Sequence, residues 1–91
     1  MDPKEINVQF FSLVSTLASA CWQQLGKTPS QIDGEVHKDL KSAQSTIDML
    51  IMLREKTEGN LTNTEHRLLE DTISALQSNY EEEAARDGVS G

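Results

Sequence analysis

The sequence predicts an all-α fold, a small three-helix domain that associates with copies of itself. Apolar residues recur every three or four positions in three separate segments, the spacing that places them on one face of a helix. No stretch alternates apolar and polar residues for long enough to compete as a strand. Between the second and third segments, Gly59 is followed by Thr62 and Glu65, a helix stop and a helix start in close succession. Helices 2 and 3 are therefore expected to form an αα-hairpin.

The first predicted helix runs from Val8 to Leu25 and ends at Gly26. The segment after it contains Pro29 and Gly34 and is expected to be irregular. At 100° per residue, the apolar side chains of this helix share one broad face that should meet the core: Phe10, Phe11, Val14, Leu17, Ala18, Cys21, Trp22 and Leu25.

The second and third predicted helices each carry a narrower apolar stripe. The second begins at Val36 or Asp39 and ends at Glu58, and the third begins after Thr62 and reaches at least Tyr80. The expected stripe of the second is Val36, Leu40, Ala43, Ile47, Leu50 and Ile51. The expected stripe of the third is Leu68, Leu69, Ile73, Leu76 and Tyr80.

Three residues between these helices are assigned structural roles as caps. Gly59 can take the left-handed conformation that ends a helix without steric cost. Thr62 and Glu65 match the S/T-x-x-E capping box, in which each side chain satisfies a backbone N–H of the other residue. The best-specified stretch of the chain is therefore a hinge between helices and not a reactive site.

The 91 residues are expected to form one domain over residues 1–80 and an acidic, frayed C-terminal tail over residues 81–91. Three consecutive glutamates at the start of this tail lie near a helix C-terminus, where the helix dipole disfavours negative charge.

Composition restricts the partners and the compartment. The net charge of −7, from 15 acidic and 8 basic residues, disfavours direct binding to nucleic acid or to anionic membranes. The uncharged stretch before Cys21 is interrupted by hydroxyl side chains and preceded by net negative charge, so neither a signal peptide nor a membrane span is expected. Since Cys21 is the single cysteine, no internal disulfide can form. These features predict a cytoplasmic protein.

Two of the predicted helices have faces outside the core stripe that carry few or no charged residues, which a single three-helix bundle does not require. The outer side of the first is polar but uncharged, whereas solvated helix faces usually carry Lys and Glu. The second is apolar on both sides. Each helix of a three-helix bundle contacts two others, which would also widen the buried arc, and aromatic anchors such as tryptophan occur in cores as well as interfaces. The candidate interface residues are Ser12, Ser15, Thr16, Ser19, Trp22, Met49, Met52 and Leu53.

The inventory of chemically reactive residues is small, and we expect no catalytic residue, no cofactor and no metal. Cys21 falls on the core stripe of the first helix, where cysteine acts as a small hydrophobe. His66 and Glu70 are spaced i, i+4, which suits a surface contact and also a shared metal or an acid–base pair. A small metal protein or enzyme built on these two residues is therefore kept as an alternative.

The hinge sequence resembles a bacterial family of short helical proteins that carries only a domain-of-unknown-function label. The resemblance rests on an EKTxGNLTxxE signature, which begins here at Glu55 and ends at Glu65, and on a phenylalanine-led helix that ends in Leu25-Gly26. Asn63 departs from the family pattern, which often has proline there. The resemblance implies a mostly helical cytoplasmic protein of bacterial origin, and it implies no reaction and no catalytic residue.

The sequence as a whole predicts a small acidic helical interaction module without catalysis of its own. Its partner is expected to be itself, as a homo-oligomer, or another protein, as an accessory subunit of a larger bacterial assembly. The remaining alternative is an accessory factor that docks on a nucleic-acid machine, such as the ribosome or polymerase, through its acidic faces. A basic cognate surface and salt-sensitive binding would favour that alternative.

Overall fold

The computed structural model of the chain describes residues 6–30 and 32–88, and these contain three α-helices and no strand. Helix α1 spans Val8–Gln24, α2 spans Leu40–Lys56 and α3 spans Asn63–Asp87. The predicted all-α fold with three helices is confirmed, as is the αα-hairpin of α2 and α3. Residues 1–5 of the predicted domain and residues 89–91 of the predicted tail lie outside the described part of the chain.

The helices run up, down and up, so that α1 and α3 are parallel. At the lower end, the backbone N–H of Asn7 donates to a carboxylate oxygen of Glu65 at 2.7 Å. At the upper end, the Lys27 ammonium lies 2.8 Å from the carboxylate of Glu83. Helix α2 runs antiparallel between them, and an isolated antiparallel bridge joins Leu25 to Lys38 across the base of the α1–α2 loop.

The core is built from the residues that the three stripes predict. Nine side chains form one cluster, and each is at most 1% exposed: Val14, Cys21, Leu25, Ala43, Ile47, Leu50, Leu69, Ile73 and Leu76. Burying side chains of this size contributes roughly 1.5–3 kcal/mol for each large aliphatic residue. The helices are therefore held together mainly by this apolar cluster.

Two residues of the predicted stripes are exposed. Val36 is 59% exposed and precedes α2, because the side chain of Asp39 accepts a hydrogen bond from the backbone N–H of Ser42 and caps the helix there. Phe11 is 43% exposed, while its neighbour Phe10 packs against the core. Adjacent residues are about 100° apart on a helix, so only one of the two phenylalanines can point at the core centre.

The hinge between α2 and α3 contains the capping box. The hydroxyl oxygen of Thr62 accepts from the backbone N–H of Glu65 at 3.1 Å, and the Glu65 carboxylate accepts from the backbone N–H of Thr62 at 2.9 Å. Gly59 has a φ of +84°, the left-handed conformation that favours glycine. Helix α2 ends two residues earlier than its predicted end, at Lys56, and the Thr57–Gly59 turn follows.

Helix α3 continues beyond Tyr80 to Asp87, so the predicted domain boundary at residue 80 falls inside the helix. Gly88 caps the helix in the left-handed conformation. Glu83 is only 3% exposed and lies between the ammonium groups of Lys27 and Lys38, at 2.8 and 2.6 Å. These ion pairs tie the last turns of α3 to both ends of the α1–α2 loop.

Candidate protein-interaction surface

The outer side of α1 carries no charge over its full length of 17 residues. Ser12, Thr16 and Ser19 are exposed there, and Ser15 is partly buried. The side chains here are mostly short, so they project little from the helix. The result is a shallow depression of about 390 Å³ that is lined by Ser15, Thr16, Ser19, Ala20 and Gln23, and that we call the α1 depression.

Two large apolar side chains of α1 lie at angles on either side of this depression; the sequence places Phe11 in the predicted core stripe and Leu13 in no predicted surface. Leu13 is 46% exposed, and Phe11 lies roughly 160° away from it around the helix. The signal that could have found Leu13 is its spacing from Leu17, Ala20 and Gln24, at i+4, i+7 and i+11, which places all four on one side of the helix.

The methionines of α2, which the sequence places away from the core stripe, are exposed. Met49 is 46% exposed and Met52 is 48% exposed. Leu53 and Trp22 were also candidates for the interface, and both are partly buried and pack against the core. The structure therefore separates exposed candidates from two that already have neighbours within the bundle.

A polar contact shows which sides of α1 and α2 face each other. The hydroxyl of Thr46 donates to the side-chain oxygen of Gln24 at 2.8 Å. Leu13 shares the side of α1 that bears Gln24, and Met49 shares the side of α2 that bears Thr46, three residues earlier. We call this junction the α1–α2 seam, and its residues are Leu13, Leu17, Ala20 and Gln24 of α1 and Ser42, Thr46, Met49 and Leu53 of α2.

Cys21 lies inside the core, where the sequence analysis expected it. Its side chain is fully buried, and the thiol donates weakly to the carbonyl oxygen of Ala43 at 3.6 Å. Burial raises the pKa of the Cys21 thiol to about 11. Because the thiolate is the reactive form, this residue is suited to packing rather than to nucleophilic chemistry at neutral pH.

Glu70 pairs across helices rather than with its i−4 neighbour His66. The Arg54 guanidinium on α2 donates to the Glu70 carboxylate at 3.3 Å, which links the two arms of the hairpin. Within residues 6–30 and 32–88, the group of three metal-type ligands that lie together is Asp33, Glu35 and His37, and it includes neither His66 nor Glu70.

These three exposed side chains lie in the α1–α2 loop, with their ligand atoms within 4.8 Å of one another. The His37 ring nitrogen is 2.8 Å from one carboxylate oxygen of Asp33. The other oxygen of Asp33 accepts from the backbone N–H of Glu35 at 3.0 Å. A cation at this position would have to replace the bond between Asp33 and His37.

Comparison with known proteins identifies the chain by its family. In the described part of the chain, no helix is both long and apolar enough to cross a membrane. No curated protein and no solved structure matches the chain. A family model described as "Domain of unknown function (DUF1844)" matches residues 7–82, from the N-cap of α1 into the last third of α3. The chain therefore belongs to the DUF1844 family of domains of unknown function.

Proposed function

We propose that this domain is a small helical interaction module that associates with copies of itself and performs no chemistry of its own. The contact uses the uncharged outer side of α1 together with the exposed methionines of α2. The observation that carries the proposal is a surface helix of 17 residues without one charged side chain, in a chain of net charge −7.

Charge favours this helix as the place where two copies meet. Two chains of net charge −7 repel each other, and like charges placed face to face add to the cost. Contact through α1 brings no charged group of that helix against the partner. The exposed fractions of Leu13, Met49 and Met52, between 46% and 48%, supply apolar area that association would remove from water.

A chain with one cysteine uses no internal disulfide, which is usual where cysteines stay reduced, and we place the protein in the bacterial cytoplasm. Cys21 is held within the core and has no second cysteine to pair with. In that setting the protein acts as a homo-oligomer whose outer surface remains available to a larger assembly.

The test is the mass of the protein in solution after charge is placed on the proposed contact. Ser15→Glu combined with Ser19→Glu, and separately Met52→Lys, should each dissociate the assembly while the helical circular dichroism signal is retained. Desolvating an unpaired charge at an interface is costly, which is the physical reason for the expected loss.

Matched controls place the same charges on the outer side of α3. Ser74→Glu combined with Ser78→Glu has the same i, i+4 spacing at exposed positions, and Gln77→Lys adds the same positive charge there. These controls should keep the wild-type mass. If the α1 and α2 variants also keep the wild-type mass, the proposed contact is wrong.

A further inference from the structure

We propose that two copies of the chain meet at the α1–α2 seam, with Met49 of each copy seated against the α1 depression of the other. The occupant of this surface is a second copy of the same chain, related by a two-fold axis that runs parallel to the helices. The inference rests on the proposed function and deepens it, because it names the faces in contact and the symmetry that relates the copies.

The distribution of exposed apolar side chains selects this seam over the junction of α1 with α3. Leu13 on α1 and Met49 and Met52 on α2 supply apolar surface from both helices of the seam. Phe11 lies on the other side of α1, and Val8 lies at the N-terminal end of the helix below Ser15 and Ser19, but within the described residues α3 contributes no exposed large hydrophobic side chain beside them. A two-helix contact surface is therefore complete only at the α1–α2 seam.

Heights along the bundle bring the methionine and the depression together. Counting along the antiparallel helices from the contact of Gln24 with Thr46 places Met49 level with Cys21. A second contact joins the Cys21 thiol to the carbonyl oxygen of Ala43, which lies six residues before Met49. Counting from this contact places Met49 between one and two helical turns lower on α1. Met49 is thus level with residues 15–21 of α1, the stretch that contains most of the α1 depression.

The symmetry follows from these heights. A two-fold axis parallel to the helices preserves height and places α1 of each copy against α2 of the other, antiparallel, as in a four-helix bundle. Met49 then meets the partner's depression twice, once in each direction. An axis perpendicular to the helices would instead set small side chains against small ones and methionines against methionines, so that one pair of helices would be held apart.

The contact area of a stable dimer also requires both helices. A helix of 17 residues is about 25 Å long, and with a width of about 10 Å it presents roughly 250 Å² in projection. Two adjacent helices present roughly 500 Å² before surface relief is counted, which is near the ~600 Å² per partner at the lower end of specific interfaces. Methionine suits such a contact because its unbranched side chain adapts to an irregular surface.

The test is disulfide trapping between two variants that each carry one added cysteine, with the buried Cys21 left in place. Thr16→Cys and Met49→Cys are purified separately, mixed, allowed to exchange subunits and oxidised mildly. The mixture should give a covalent dimer that contains one chain of each variant, and its yield should exceed several-fold that from either variant alone. Ser78→Cys mixed with Met49→Cys is the control, because Ser78 lies on the outer side of α3.

Sedimentation of the wild-type chain separates the possible failures. A wild-type dimer whose mixed variants trap no faster than the control, or whose single variants trap as well alone, overturns the proposed geometry and leaves self-association standing. A wild-type chain that is monomeric at every concentration overturns the proposed function, and this inference with it.

Discussion

At the scale of single residues, Glu83 shows how a carboxylate can be nearly buried and still remain ionised. The Lys27 ammonium, which donates at 2.8 Å, and the Lys38 ammonium hold the pKa of Glu83 at about 2. Arg86 donates to the same carboxylate at 3.0 Å from one turn further along α3. An acid in such a site stabilises the fold only while its partners are present, because an unpaired buried charge is costly.

Replacing Glu83→Gln should lower the free energy of unfolding at neutral pH, because it leaves Lys27 and Lys38 without their shared anion. The carboxyl pKa is about 2 in the folded chain, against an ordinary value of 4.5 without these partners. The contribution of Glu83 to stability is therefore complete above 4.5 and is lost as the pH falls towards 2. Urea unfolding of both proteins across this range should show a gap that closes in acid.

The control for this experiment is Glu82→Gln, which removes an exposed carboxylate from the preceding position. This substitution should change the free energy of unfolding little at any pH. A gap between wild type and Glu83→Gln that stays constant down to pH 2 would mean that the substitution acts through packing and not through charge.

The buried position of Glu83 follows from a register that the sequence contains. Glu83 lies three residues after Tyr80 and seven after Leu76, so the α3 stripe carries it to the inner face. By composition alone, Glu83 instead belongs with two neighbouring glutamates in a charged tail. Its partners Lys27 and Lys38 lie at the two ends of a distant loop, and no local pattern brings them to this helix.

At the scale of helices, the capping box does more than start α3. One oxygen of Glu65 accepts from the backbone N–H of Thr62, and the other accepts from the backbone N–H of Asn7. The Asn7 side chain in turn accepts from the backbone N–H of Phe10 and caps α1. One carboxylate therefore joins the N-termini of two parallel helices, which is consistent with its burial at 6% exposure.

Replacing Thr62→Ala should lower the free energy of unfolding by about 1 kcal/mol, because the backbone N–H of Glu65 loses the hydroxyl that accepts its hydrogen bond. Thr64→Ala is the matched control, since Thr64 is exposed within the first turn and the same atoms are removed. Chemical denaturation at neutral pH measures both. Equal losses in the two variants would contradict the role of Thr62 as a cap.

In each helix, the periodic pattern predicted the residues in the middle of the apolar face better than those at its edges or at the helix ends. Val14 and Cys21 are buried as expected, because the 3.6-residue period defines the middle of each apolar face. Whether a residue at the edge of an apolar face is buried depends on where the neighbouring helices lie. Spacing alone therefore assigns Phe11 to the core, and it assigns Leu13 neither to the core nor to the interface. Val36 continues the α2 stripe by spacing alone, but Asp39 is the N-cap of α2, so the helix begins only after Val36.

At the scale of the molecule, the fold concentrates charge on α2, α3 and the connecting loops and leaves α1 uncharged. The sequence predicted this uncharged side and the exposed methionines. It could not predict that α1 runs parallel to α3 or which side of α1 faces α2, because those depend on contacts between distant residues such as Thr46 with Gln24. The α1–α2 seam is visible only once these contacts are known.

Self-association through α1 and α2 is tested by sedimentation equilibrium of the wild-type protein over a wide range of concentrations and at two salt concentrations. We expect a mass approaching twice the 10.1 kDa of one chain. Association should tighten between about 10 and about 150 mM salt, where the Debye length falls from about 30 to about 8 Å and screens the repulsion of two acidic chains. A mass of 10.1 kDa at every concentration, or an assembly that salt dissociates, would contradict contact through an uncharged surface.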